Sequence, residues 1–493
     1  MGQTGDVRKI VSGSFLTMGL SYVSRGTNMV AEILLTRLLL PEDFAYLAWA
    51  TLYFMLFASL KEFGLSYALL HYHDRAEEMA PTHLLLNTGL ACIGLGIAVA
   101  AALLLRAYYA QQVIYAMLIF SAFDILRSAT LTPESLLRKA FAFSRLAIIQ
   151  SVSVLISLVV ALTLAWAGYG FWALIIGYSR YSIIYVVTFS LLVWLSRPLS
   201  FRGLRFRPDL ARPLFSFGTR YWVSGMLSLL TLHYDKFIVG ILQGDKALGI
   251  FERAYTFAQK PTGAITHMII GITNAVYARY QHDRQKLSAV FSKIFGIILR
   301  ISAPVVLVLF MQADNLTLIL VKEEWLGLAP LLRWLVVYAL IKPMQDDVHS
   351  LLLALGQPKK IMQFAFVQAA ILVVLAPVLA HLAGLAGVAM AVNIMVLIGT
   401  VLLLRCATGY VDVPWRRMVI PPAIAILLAA GTSSLIGGLH QLAPPWLRLI
   451  AEIGMLLSVY ALALLAIEGK RLFRELRMLY AVWTGSAPPP RPD

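Results

Sequence analysis

The sequence predicts an all-α polytopic membrane protein of about 14 transmembrane helices: two six-helix lobes in a parallel pseudo-twofold repeat, plus two extra helices. Three observations lead there. Of the 493 residues, 60% are hydrophobic and 13% charged, and the mean hydropathy is +0.78, more apolar surface than a soluble domain can bury. Apolar runs of about 20 residues, enough to span roughly 30 Å of hydrocarbon as a helix, recur along the chain. The polar connections between them alternate in basic content, as loops on opposite sides of a membrane do.

The first run, 10–38, follows Arg8 and Lys9 and resembles the front of a signal peptide. No small-residue cleavage site precedes Arg25, and the apolar pattern continues to Leu40, so the run is expected to stay as a helix. The opening residues fail as a myristoylation site because position six is Asp6. Further runs follow at 42–69, 82–106, 111–133, 144–167 and 171–195. After a polar break they resume at 213–243, 248–276, 288–312, 326–354, 361–381, 386–404, 415–437 and 446–467.

With the N-terminus placed in the cytoplasm, the even-numbered connections hold Arg75; then Arg138, Lys139 and Arg145; then Arg197, Arg202, Arg205, Arg207 and Arg212. They continue with Arg279, Arg284 and Lys286, with Lys359 and Lys360, with Arg405, Arg416 and Arg417, and end on Lys470, Arg471, Arg474 and Arg477. The opposite connections offer little beyond Arg106, Lys246, Lys322 and Arg448. One missed or invented helix would invert this pattern from that point on, so the alternation supports the count and places both termini in the cytoplasm.

The domain reading follows. Residues 1–196 form an N-terminal six-helix lobe, 197–212 a basic cytoplasmic linker suited to an anionic membrane face, and 213–409 a C-terminal six-helix lobe. Residues 410–468 add two helices outside the repeat. In the tail, 469–493, Lys470 to Tyr480 alternates basic and apolar residues as an interfacial helix would, and the Pro-rich end from Ser486 is expected to be disordered. The repeat itself is seen when Leu40–Leu47 is laid on Gly244–Phe251: each is a short turn that closes one long helix and opens the next. A period of roughly 200 residues covers six helices, an even number, so the halves run the same way through the membrane.

The formal net charge of +16 belongs to this topology and not to nucleic-acid binding, which concentrates charge on a polar domain that this chain lacks. Cys92 and Cys406 lie in or beside apolar runs and imply no disulfide framework. No phosphate-binding loop, HExxH or nucleophile elbow is present. The expected outer loops are short, the longest running about Gln312 to Glu324. That argues against a membrane polymerase, ligase or glycosyltransferase, and no cofactor or metal is implied.

Charges inside the spans are the functional signal. Each centrally placed charge costs about 2.5–3.5 kcal/mol on the insertion scale, so the many here must pair or line a wetted cavity. They are Arg25, Glu32, Lys61, Glu62, Asp124, Arg127 and Arg180 in the first half. The second half adds Arg220, Asp235, Lys236, Glu252, Arg253, Lys260, Arg300, Arg333, Lys342, Asp346 and Asp347. Lys61-Glu62, Glu252-Arg253 and Asp346-Asp347 read as interface residues or local ion pairs, and Asp124 with Arg127, spaced i, i+3, as mutual neutralisation. Arg25, Arg220, Lys236, Arg300 and Arg333 have no opposite charge at helical spacing, apart from Asp235 beside Lys236, and a cavity role is expected. A cationic cleft between apolar lobes suits a substrate with an anionic head and a hydrophobic tail, since Arg forks match phosphate oxygens.

Leu39-Leu-Pro-Glu-Asp-Phe44, Phe63-Gly-Leu-Ser66, Tyr234-Asp-Lys-Phe-Ile-Val-Gly240, and Ala247-Leu-Gly-Ile-Phe251 with Ala254-Tyr255 resemble the bacterial polysaccharide transporter family. These are the Wzx-type flippases of the multidrug/oligosaccharidyl-lipid/polysaccharide exporter superfamily. The resemblance implies two six-helix lobes and export of undecaprenyl-diphosphate-linked sugar units across the bacterial inner membrane by alternating access. It departs at Ile241, where related sequences often place Arg before the turn. On this reading Arg25, Arg127, Arg220, Lys236, Arg300 and Arg333 are the expected diphosphate contacts. Glu32, Asp124 and Asp235 are the expected ion-coupling acids. Expected partners are the lipid-linked sugar, membrane lipids and the polysaccharide polymerase and chain-length or export machinery, with no nucleic acid. The alternatives are a multidrug/cation antiporter of the same architecture, which would favour acids in its cleft, and a membrane glycan polymerase or ligase. A major-facilitator transporter shares the parallel halves, but His71 to Glu78 lacks its Gly-rich basic loop.

Overall fold

The structure, a computed structural model, describes residues 19, 24, 26–61, 63, 65–66, 69, 75–140, 142–196, 205–436 and 444–469, with backbone alone at 60–61, 217–232, 264–272, 274–275, 320, 435–436 and 445. Every element among them is helical. In chain order the long helices are α1 over 26–38, α2 Pro41–Lys61, α3 Ala76–Leu105, α4 Gln111–Lys139 and α5 Phe143–Trp166. Then come α6 Phe171–Ser196, α7 Pro208–Gln243, α8 Asp245–Tyr280, α9 Arg284–Met311, α10 Leu328–Ala354, α11 Pro358–Ala407, α12 Trp415–Ile436 and α13 Pro445–Glu468. Among the described residues eight helices are long and apolar enough to cross a bilayer, which makes this a multi-span membrane protein as expected. The fourteen segments drawn on hydropathy include others, such as 10–38 and 42–69, that run into residues outside those described. The same holds for the expected tail helix and for 197–204 of the expected linker.

Contacts divide the chain into two compact units. The first runs to Gly240 and takes in Gly244–Gly249; the second comprises Ile241–Gln243 and the chain from Ile250. The long helix after the expected linker thus packs, up to Gly240, with the first unit.

In the first unit α4 packs along α3 and also against α2 and α6, while α5 packs on α6. Close approach is set by small residues, the usual means of helix association where lipid offers no hydrophobic drive. A Cβ at Gly177 of α6 would sit 2.5 Å from the Ala161 nitrogen and 2.6 Å from the Ser157 carbonyl of α5, so the two backbones are in contact there. At the end of α7, Gly240 leaves room for the ring of Trp49, and Gly249 lies against the carbonyl of Pro41. Trp49, fully buried, donates its Nε1–H to Asp245 Oδ1 at 2.9 Å. The two turns aligned above as a repeat are therefore packed on one another.

Helix α6 is interrupted. After Phe171–Ala173 it widens into a π-helical turn over Leu174–Tyr178, leaves helical geometry at Ser179 (φ −100, ψ 164), and re-enters an α-helix at Ile183. Irregular backbone at membrane depth must find partners within the protein, and here serines supply them. Ser157 Oγ donates to the Gly177 carbonyl at 2.6 Å and lies 3.1 Å from Ser182 Oγ. Ser179 Oγ accepts from the Tyr181 amide at 3.1 Å.

In the second unit α9 lies against α10, α12 and α13; α10 also packs on α11, and α12 on α13. One core gathers Tyr277, Phe291, Phe295, Val348 and Leu403; another joins Ala303, Leu307, Ala425, Ala429, Leu456 and Tyr460. Helix α11 is two helices broken at Ala383 and Gly384, the latter with φ 56 and ψ −135, a conformation open to glycine. Near the break Gln243 Nε2 donates to the Ala380 carbonyl at 3.1 Å.

Candidate functional site

The intramembrane charges resolve into separate polar clusters inside each unit. In the first, Glu32 of α1 is 3% exposed, and its Oε1 accepts the Tyr178 hydroxyl at 2.6 Å. This ties α1 to the π-helical turn of α6. On α4, Arg127 Nη1 donates to Glu134 Oε2 at 2.7 Å, and Arg138 Nη2 donates to Glu134 Oε1 at 2.8 Å. Two guanidiniums thus share one carboxylate and leave a net positive charge. The Arg127 guanidinium also lies 4.8 Å from the centroid of Phe189 on α6, within cation–π range. Its ion pair is with Glu134, two turns along the helix, a partner that the i, i+3 spacing to Asp124 does not suggest.

Asp235 of α7 is 2% exposed, and its Oδ1 accepts the backbone N–H of Lys236 at 2.9 Å; Lys236 is half-buried. Phe237 follows with its ring edge-on to Trp49, centroids 5.9 Å apart. The pair therefore precedes, along α7, the residue that meets Trp49. Arg25 and Glu62 lie outside the described residues, as do the side chains of Lys61 and Arg220.

In the second unit two of the arginines that have no opposite charge at helical spacing find partners on other elements. Arg300 of α9 forms a two-pronged pair with Glu468 of α13, Nε to Oε2 at 2.9 Å and Nη2 to Oε1 at 2.6 Å, both side chains 5% exposed. Tyr460 donates to the Arg300 carbonyl at 2.9 Å, which adds a second tie between the same helices. Arg333 of α10 is paired with Asp314 of the short helix Ala313–Leu320. Lys342 and Asp346 pair one turn apart on α10, and fully buried Asp347 accepts the Tyr277 hydroxyl at 3.0 Å. The physical reason is common to Arg300 and Arg333: their partners come from other helices, so spacing along one helix could not reveal them. Glu468 and Asp314 are the residues missed. Glu134 was legible, four residues before Arg138 on the same face.

Residues 34–330 match the model of the polysaccharide biosynthesis protein family, 60% of the chain. The chain belongs to that family. Proteins similar to it include the lipopolysaccharide biosynthesis protein WzxC of Escherichia coli (strain K12), 22% identical over 416 residues that cover 80% of each chain. The succinoglycan biosynthesis transport protein ExoT of Rhizobium meliloti (strain 1021) is 25% identical over 310 residues, 62% of this chain and 61% of that one. Among solved structures, the lipid II flippase MurJ in an inward closed conformation superposes with a TM-score of 0.69 at 13% identity, over 93% of this chain and all of that one. An inward-facing multidrug resistance MATE family transporter gives 0.61 at 14% identity, over 78% and 94%. At these identities the structural likeness establishes a shared fold.

Proposed function

We propose that this polysaccharide biosynthesis family member is a membrane transporter, without enzymatic activity, that flips an undecaprenyl-diphosphate-linked oligosaccharide across the bacterial inner membrane by alternating access. The observation that carries the reading is the family match over 34–330, together with relatives named for lipopolysaccharide biosynthesis and succinoglycan transport. The charge balance supports it: cations outnumber acids within the spans, which suits an anionic cargo and not the cationic one of an antiporter.

Arg25, Arg127, Arg220 and Lys236 are the diphosphate contacts in this proposal. Arg300 and Arg333 are given to holding helices of the second unit together. Both termini lie in the cytoplasm, and the glycan polymerase and chain-length or export machinery receive the product on the far side. The test is to delete the gene and locate the lipid-linked intermediate. Accumulation on the cytoplasmic leaflet is the expected result; units already translocated but left unpolymerised would overturn the reading.

A further inference from the structure

Arg180 is an intramembrane cation that neither the pairing pattern nor the proposed contact set absorbs. It stands in the interrupted stretch of α6, between the π-helical turn and the restart at Ile183. Within the expected span 171–195, Arg180 is the tenth of 25 residues, inside the apolar run and away from both of its ends. Its side chain is exposed on the first unit, and among the described residues it makes no ion pair or hydrogen bond. An arginine inside a span, with no ion pair among the described residues, is costly against hydrocarbon and stable toward water or an anion.

The surroundings are built. The serines that satisfy the break are buried, Ser157 at 3% and Ser182 at 0% exposure, and Ser182 Oγ accepts the Tyr185 amide at 3.4 Å to cap the restarted helix. The interruption is therefore held from the protein side, and its charged residue, Arg180, is exposed. On the same α6, Phe189 carries the Arg127 guanidinium 4.8 Å from its ring centroid, and Arg127 and Arg138 share the single carboxylate of Glu134, so the charge on this side of the unit is positive. π-helical insertions and broken helices of this kind are found where transporters bind ions and substrates.

We propose that Arg180, on the break in α6, is an anion-binding and specificity-determining contact of the first unit that takes a phosphate of a lipid-linked diphosphate. The inference rests on the flippase reading and adds a residue and an element to it. The same chemistry is offered by the headgroup of an ordinary anionic phospholipid, and the experiment separates the two.

The purified full-length protein in nanodiscs is titrated with undecaprenyl diphosphate and with phosphatidylglycerol, alongside R180Q and R180K variants. R180Q should bind the prenyl diphosphate at least tenfold more weakly with phosphatidylglycerol binding unchanged, and R180K should fall between, since lysine keeps the charge but loses the planar fork. Independently, R180C in a chain with Cys92 and Cys406 replaced should react with a water-soluble thiol reagent and be protected by prenyl diphosphate. Unchanged binding by R180Q, equal loss for both lipids, or a thiol at 180 that water-soluble reagent does not reach overturns the assignment of Arg180. A wild-type protein that does not prefer the prenyl diphosphate over phosphatidylglycerol overturns the flippase reading itself, which keeps the two failures distinct.

Discussion

Removing the Arg300 guanidinium leaves the Glu468 carboxylate buried without its counter-charge. Breaking a buried pair from one side costs roughly 3–5 kcal/mol, whereas replacing both members by apolar groups of similar size is often neutral or stabilising. Arg300→Ala should therefore lower the thermal midpoint of the detergent-solubilised protein sharply, and the double variant Arg300→Leu with Glu468→Leu should recover most of it. An Arg300→Ala protein as stable as the parent would mean that the pair does not hold α9 to α13. The charge of Arg300 was visible in the sequence and its role was not, because its partner lies 168 residues away.

The breaks in α6 and α11 differ in how legible they were. In α11 the gap between the expected runs 361–381 and 386–404 falls on Ala383 and Gly384, where the structure turns, because a glycine marked the place locally. In α6 the run 171–195 reads as one continuous apolar span, and its interruption depends on Ser157 of another helix, which no window along α6 contains. A side chain at Gly384 meets a backbone that L-residues rarely adopt, at about 1–3 kcal/mol. Gly384→Ala should therefore destabilise the second unit by that amount, and an unchanged denaturation midpoint would contradict it. At the start of α9, Asp283 accepts the Lys286 amide at 3.1 Å and faces the Lys286 ammonium at 2.8 Å. These contacts hold its carboxyl below the ordinary 3.8. A depressed carboxylate stabilises fully above its unfolded value and loses that contribution as pH falls through the folded one. Protection of the α9 first turn from hydrogen exchange should thus be flat from neutral pH to about 5 and weaken only below 3.8, and Asp283→Asn should remove that dependence.

For the whole molecule, the alternation of basic loops makes a topology that can be checked from outside the cell. With Cys92 and Cys406 replaced, cysteines at Tyr108 and Lys246 should react with a membrane-impermeant reagent on intact cells, and cysteines at Arg205 and Thr408 only after the membrane is opened; all four positions are exposed. The opposite pattern would reverse the orientation and with it the direction of transport. Direction in turn bears on energy. Moving a negative charge outward through an inside-negative potential gains about 2.3 kcal/mol per charge per 100 mV, enough to drive a diphosphate without another ion. Glu32, joined to the π-helical turn of α6 through Tyr178, and Asp235, buried on α7 beside Lys236, are nonetheless placed where binding a proton or cation would be felt by the helices that carry the proposed contacts. Glu32→Gln, Asp124→Asn and Asp235→Asn, made singly and together, should slow export into proteoliposomes under an imposed ion gradient while leaving export under potential alone in place. If transport is indifferent both to ion gradients and to neutralising all three acids, the potential is the driving force and the coupling assignment fails.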